Sequence, residues 1–364
     1  MGKTLYLHIG TEKTGSTALQ TVSGTNRAKL TEHGIFYPKT AGERNHIMLA
    51  IFAGDRSNTL DLRRVARLFP EPAYEQFKVD FPDALRSEVE ANQCPRICLS
   101  NEHLSSRVKT VKEISRVAEI IRPLAESVKI VVYLRPQAEL FLSSYSTHIK
   151  AGHTKVLTAP KIAQHFRYNY ENLLSLWAEV FGEDNVIVRI YDRKTLVGHD
   201  VVKDFFSILD YEPGPDIEIP TTLNGRLDHE ATCFLLEFNK HVPLFLAESV
   251  NPDRADISAA LEAGSKVPTL PVPASVLRDI ANTYEESNAR VARRFLGRTD
   301  GKLFSDVEYR SESEGKPLTI ERAVEISAHL WRWKQREIQR LKAQLAAMRK
   351  QLPTKGKRQS RSAR

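Results

Sequence analysis

The sequence predicts an α/β protein: three layers, with a P-loop-type parallel sheet flanked by helices, followed by a C-terminal amphipathic helix with a partial heptad pattern. Three observations carry that expectation. Short apolar runs recur at residues 5–9, 97–99, 129–134 and 185–191. Segments with helical spacing follow them, and strands alternating with helices imply a parallel sheet covered on both sides. The run KIVVYL (129–134) is apolar on both faces beyond its first residue, as a buried central strand is.

Residues 5–9 read as the first strand, 10–15 as a polar loop and 16–30 as a helix. The strand at 97–99 ends in Ser100-Asn101-Glu102-His103. Residues 111–121 follow helical spacing and stop at Pro123. Arg135-Pro136 ends the strand at 129–134, and 138–149 continues as a helix. NVIVRIY (185–191) is a further strand, followed by a helix over 201–209. Pro213, Gly214, Pro215 and Pro220 mark a loop. Residues 231–239 and 275–296 read as helical. From Ile320 the pattern changes. Ile320, Val324, Ser327, Trp331, Lys334, Ile338, Leu341, Leu345, Met348 and Leu352 are spaced alternately four and three apart, a heptad seam interrupted by Ser327 and Lys334. The expected organisation is an α/β domain over 1–310, a linker and amphipathic helix over 311–352, and a disordered basic tail over 353–364.

Composition narrows the class. With 41% hydrophobic and 27% charged residues the chain has the make-up of a soluble globular protein. No apolar run reaches the length of a membrane span, and the N-terminus lacks a signal-peptide layout. Cys94, Cys98 and Cys233 are too few for a disulfide framework and lack zinc-site spacing, so free thiols in the cytoplasm are expected. The net charge of +8 is local. Residues 332–364 hold twelve lysines and arginines against one acidic residue; subtracting that +11 leaves the rest of the chain at −3. The main domain therefore gives no sign of a specific nucleic-acid partner. The tail can hold the protein at an anionic membrane surface or an acidic polymer by charge alone, and the seam can make a homodimer.

The most informative segment is Gly10-Thr11-Glu12-Lys13-Thr14-Gly15-Ser16-Thr17. A strand, a glycine-bearing turn and a helix N-terminus together make an anion site. Nucleotide triphosphatase loops end in Gly-Lys-Ser/Thr, whose hydroxyl holds magnesium. Here Ser16 stands at the lysine position and Lys13 precedes the glycine, so a transfer that requires no metal is the better reading.

HIGTEKTGSTALQ resembles the 5′-phosphosulfate loop of PAPS-dependent sulfotransferases, particularly the bacterial and carbohydrate-modifying branches. Ser16 departs from the family's usual Thr. The resemblance implies that Lys13 and the backbone of Thr14, Gly15, Ser16, Thr17 and Ala18 grip the phosphosulfate of PAPS. KIVVYLRPQAELFLSSYSTHIKAG resembles the family's 3′-phosphate segment, with Arg135 at the strand end and Ser143 eight residues on. The family's general base follows the preceding strand, at the place of Glu102, with His103 as the alternative. His46, in Asn45-His46, stands where related bacterial sequences carry Asn-His and is expected to line the acceptor site. His8 is read as a core histidine. Asn224 and Arg226 lie in a segment that resembles one near the nucleotide. The likeness spans roughly residues 3–304. It implies sulfuryl transfer to a hydroxyl or amine, the acceptor being a carbohydrate or glycolipid, with PAP as product. Two other readings stand beside it: a P-loop small-molecule or sugar kinase using ATP, and a non-enzymatic scaffold built on the C-terminal helix.

Overall fold

A computed structural model describes residues 2–155, 166–219, 227–246, 249–254, 256–265, 272–307, 309 and 317–351. Five strands form one parallel sheet: β1 (Thr4–Gly10), β2 (Ile35–Phe36), β3 (Arg96–Ser100), β4 (Ser127–Leu134) and β5 (Val186–Ile190). Their order is β2-β3-β1-β4-β5. A separate antiparallel pair joins β6 (Phe245–Leu246) to β7 (Ser249–Val250).

The helices of the first half are α1 (Ser16–Thr25), α2 (Arg27–Glu32), α3 (Ile47–Ala53), α4 (Leu60–Val65), α5 (Glu71–Glu90), α6 (His103–Arg107) and α7 (Val111–Ile121). Then come α8 (Gln137–Lys150), α9 (Tyr170–Phe181), α10 (Val201–Ile208), α11 (His229–His241), α12 (Ile257–Gly264), α13 (Ala274–Thr283), α14 (Glu285–Leu296) and α15 (Ile320–Gln351). The single helix expected over 16–30 is two, divided at Asn26, whose side-chain amide donates to the carbonyl of Val22. That expected over 275–296 is also two, divided at Tyr284.

The sheet is covered on both faces. Val131 and Tyr133 of β4 pack with Leu19 and Val22 of α1 and with Val202, Phe205 and Phe206 of α10. The alternate residues Ile130, Val132 and Leu134 point the other way, where α9 lies on β4 and β5. Every residue from Ile130 to Leu134 is fully buried, which explains the unbroken apolar run.

The chain divides into two compact units. The first comprises Met1–Tyr145, Leu157–Leu223 and Val272–Glu312 and contains the sheet; the second comprises Ser146–Val156, Asn224–Pro271 and Ser313–Arg364 and contains α15. Within the first unit, the connection from β1 runs toward β2 and β3, and that from β4 runs toward β5. The crevice beyond the carboxyl ends of β1 and β4 is therefore the topological switch point, where ligands bind in open α/β sheets.

Candidate functional site

The chain leaves β1 at Gly10 and enters α1 at Ser16, folding across the end of β4. Thr11 donates its amide and its hydroxyl to the Tyr133 carbonyl, at 2.9 and 3.0 Å. Thr14, fully buried, donates its hydroxyl to the Thr11 carbonyl, so it can serve a ligand only through its backbone. Lys13 and Gly15 both have left-handed backbone, with φ of 67° and 84°. Gly15 is fixed by space as well: a Cβ there would lie 2.6 Å from Val201 Cγ1 on α10.

Gly15 caps α1 without a side chain. The Ala18 and Leu19 amides return to its carbonyl at 3.0 and 3.2 Å. The Ser16 and Thr17 amides find no backbone acceptor outside the helix among the described residues. With the helix dipole behind them and Lys13 beside them, they have the arrangement that an anion site requires. Ala18 is a correction: its N–H belongs to the first helical turn.

Arg135 follows β4 and lies against this loop. Its Nη1 donates to the Lys13 carbonyl at 3.1 Å, and its Nε pairs with Glu139 at 3.0 Å. The Tyr170 hydroxyl donates to the Arg135 carbonyl at 2.6 Å. Two residues that the sequence places 122 apart thus share one hydrogen bond. Ser143, eight residues on, lies half-buried in α8.

On the other side of β1, β3 ends at Ser100 and α6 begins at His103, with Glu102 between them at the helix N-cap. One carboxylate oxygen of Glu102, Oε2, accepts from Gln20 Nε2 at 2.6 Å and from Asn45 Nδ2 at 3.1 Å. Hydrogen bonds to a charged group contribute roughly 1.5–3 kcal/mol each, so the carboxylate is held in one orientation. Oε1 accepts no hydrogen bond among the described residues, and a proton can be delivered to it. Gly10 makes the approach possible, since a Cβ there would sit 3.1 Å from the Glu102 Cα.

His103 faces a different partner. Its Nδ1 lies 3.8 Å from Glu12, whose carboxylate also pairs with Arg167 at 2.9 Å and accepts from the Ser106 hydroxyl at 2.6 Å. Burial pushes the Glu12 carboxyl up, but His103, Arg167 and Ser106 outweigh it and hold it down at about 2. Glu12 is therefore a fixed anion inside the loop, neutralised by Arg167.

His46 is part of the scaffold. It is fully buried; its Nδ1 accepts from the Ser100 amide at 3.1 Å and its Nε2 donates to the Pro38 carbonyl at 2.9 Å. Burial holds its pKa down at about 3. With both ring nitrogens engaged it has nothing to offer an acceptor, and its neighbour Asn45 makes the contact to Glu102 instead. His8 is a core histidine: Nδ1 lies 2.8 Å from the Ser100 hydroxyl, the ring packs edge-on against Tyr133 and Phe205, and burial lowers its pKa to about 3. Asn224 and Arg226 lie outside the described residues. Gln20, Asn45, Glu12 and Arg167 were not singled out from the sequence. Gln20 had one signal, its place one turn into the helix after the anion loop.

No family model matches the chain. Over 200 residues it is 27% identical to an uncharacterised protein of Archaeoglobus fulgidus, a stretch covering 54% of this chain and 55% of that protein. The chain thus spans about half the length of the curated relative it matches. Among solved structures it is similar to a sulfotransferase from Alicyclobacillus acidocaldarius, with 17% identity, 59% of this chain and 86% of that one covered, and a TM-score of 0.35. It is also similar to the sulfotransferase domain of the Synechococcus PCC 7002 olefin synthase, with 13% identity, 78% and 94% covered, and a TM-score of 0.32. Likenesses this distant leave function to be read from the site itself. No helix among the described residues is long and apolar enough to cross a membrane.

Proposed function

We propose that the chain is a sulfotransferase that moves a sulfuryl group from PAPS to an acceptor hydroxyl, with Glu102 as base and a carbohydrate or glycolipid as acceptor. The observation that carries this reading is the meeting of three strand ends. The Lys13 loop after β1, Arg135 after β4 and Glu102 after β3 lie on adjacent parallel strands, tied by the Arg135–Lys13 and Gln20–Glu102 hydrogen bonds. Cations and helix amides on one side suit a nucleotide with two anionic ends, and an oriented carboxylate on the other suits proton removal.

PAPS supplies the sulfuryl group. Glu102 takes the acceptor proton through Oε1 as the acceptor oxygen bonds to sulfur. The bond from sulfur to the oxygen it shares with the 5′ phosphate breaks in line, and Lys13 stabilises the charge that grows on that oxygen. The amides of Ser16 and Thr17 hold the 5′ end. Arg135, with Ser143, takes the 3′ phosphate.

Calorimetry with PAP, with and without EDTA, tests donor recognition, and a PAPS-dependent transfer assay on mixed glycans tests the activity. Binding of PAP unaffected by EDTA is expected. Preference for ATP with magnesium would put a kinase in its place.

A further inference from the structure

We propose that the exposed stripe of α15 is the seam of a parallel two-stranded coiled coil with a second copy of this chain. The helix has 32 residues, about 48 Å of length. One face is used within its own unit. Arg322 pairs with Asp228 at 3.2 Å and with Glu230 at 3.1 Å, His329 Nε2 donates to the Ala260 carbonyl at 2.9 Å, and Ile326 is only 4% exposed against α11 and α12.

A second apolar face is left uncovered among the described residues. Ile320, Val324, Trp331, Ile338, Leu341, Leu345 and Met348 are all exposed, from 41% at Ile338 to 86% at Ile320. Their spacing decides between occupants. From Ile320 to Met348 the stripe stays in one 4-3 register over four heptads, broken by Ser327 and Lys334 and continuous from Ile338, the period that a supercoiled partner helix requires. Residues on the face used within the unit, Arg322, Ile326 and His329, fall at positions f and c when Ile320 is d, so one helix can serve both contacts.

Charge favours a second copy in parallel register. The helix carries eight lysines and arginines against three glutamates, yet no facing g–e′ pair sets like charge against like. The charged g–e′ pair is Glu337 with Lys342 of the second copy, which is attractive. Arg322, Arg332, Arg336, Arg340 and Lys350 fall at b, c and f, away from the seam. Ser327 and Lys334 occupy d positions, a polar break that lowers stability and fixes register. A basic helix with an apolar stripe also resembles one that lies on an anionic membrane, but such helices present a broader apolar face at a 3.6-residue period.

Sedimentation velocity of the full chain at micromolar concentration is the test. Twice the 41.2 kDa chain mass is expected, falling to the chain mass in Leu341→Asp/Leu345→Asp with an unchanged circular dichroism spectrum. In a second experiment, Leu341→Cys and Met348→Cys are oxidised separately. Each forms a disulfide-linked dimer if the helices are parallel and in register, whereas an antiparallel pair brings at most one of these positions to its own copy. A monomeric wild type, a dimer that survives the aspartates, or a monomer that floats with phosphatidylserine vesicles would each overturn the proposal. These readouts do not depend on PAPS.

Discussion

The turns after β1 and β3 hold equivalent places. Both end neighbouring parallel strands paired in register from Thr4–Arg96 to His8–Ser100, and both lead into helices. Their chemistry is opposite. The first presents Lys13 and the open amides of α1; the second presents a carboxylate with one oxygen held by two amide donors. In the proposed reading, position in the fold supplies the meeting place, and side chains decide which turn takes an anion and which takes a proton. The lone acidic residue of the first turn, Glu12, leaves the contrast intact, since Arg167 pairs with it at 2.9 Å.

Exchanging charges breaks this comparison most directly. Glu102→Gln keeps the Gln20 and Asn45 anchors within reach and removes the base; turnover should fall about 10²–10⁴-fold with PAP affinity nearly unchanged. An equal loss of PAP affinity would move Glu102 to the donor side. Lys13→Ala should lower the single-turnover rate roughly 10²–10³-fold, the scale of a lost charge stabiliser in the transition state. A rate within threefold of wild type would remove Lys13 from the chemistry. Arg135→Ala acts on binding: loss of a charge-assisted contact of roughly 1.5–3 kcal/mol should weaken PAP about ten- to a hundredfold by calorimetry.

The smallest effect separates scaffold from site. Burial keeps His8 and His46 uncharged down to about pH 3 in the folded protein. Unfolded histidine binds its proton near 6.5, so the unfolded state holds more protons between these values. Stability is therefore present above pH 6.5 and is lost as pH falls, by about 2 kcal/mol per group at pH 5. Thermal unfolding at pH 7.5 and 5.0 should show this loss, and His46→Gln should flatten it. Identical slopes in the variant and the wild type would show that His46 is not one of the groups responsible.

What the sequence revealed divides along the same line. Strands β1, β3, β4 and β5 were legible because each is an apolar run long enough to stand out. The two residues of β2 carry no pattern, and Pro82 interrupts the periodicity of α5. Lys13, Thr14, Gly15, Ser16 and Thr17 were legible as one contiguous motif. Asn45 and Gln20 were not, because they act on Glu102 across 57 and 82 residues of chain, a proximity that only the sheet creates. His46 misled for the converse reason: a histidine beside a functional asparagine looks like an acceptor ligand until the Ser100 amide and the Pro38 carbonyl claim both of its nitrogens.

Between β2 and β3 the chain makes one long excursion, residues 37–95, that carries Asn45 and helices α3, α4 and α5 and adds no strand to the sheet. The residues proposed to hold the donor, Lys13, Ser16, Thr17, Arg135 and Ser143, all lie outside it. The excursion reaches the proposed base through Asn45, which touches Glu102. Under the proposed reading, resurfacing this stretch would change which acceptor is taken while donor binding stays unchanged.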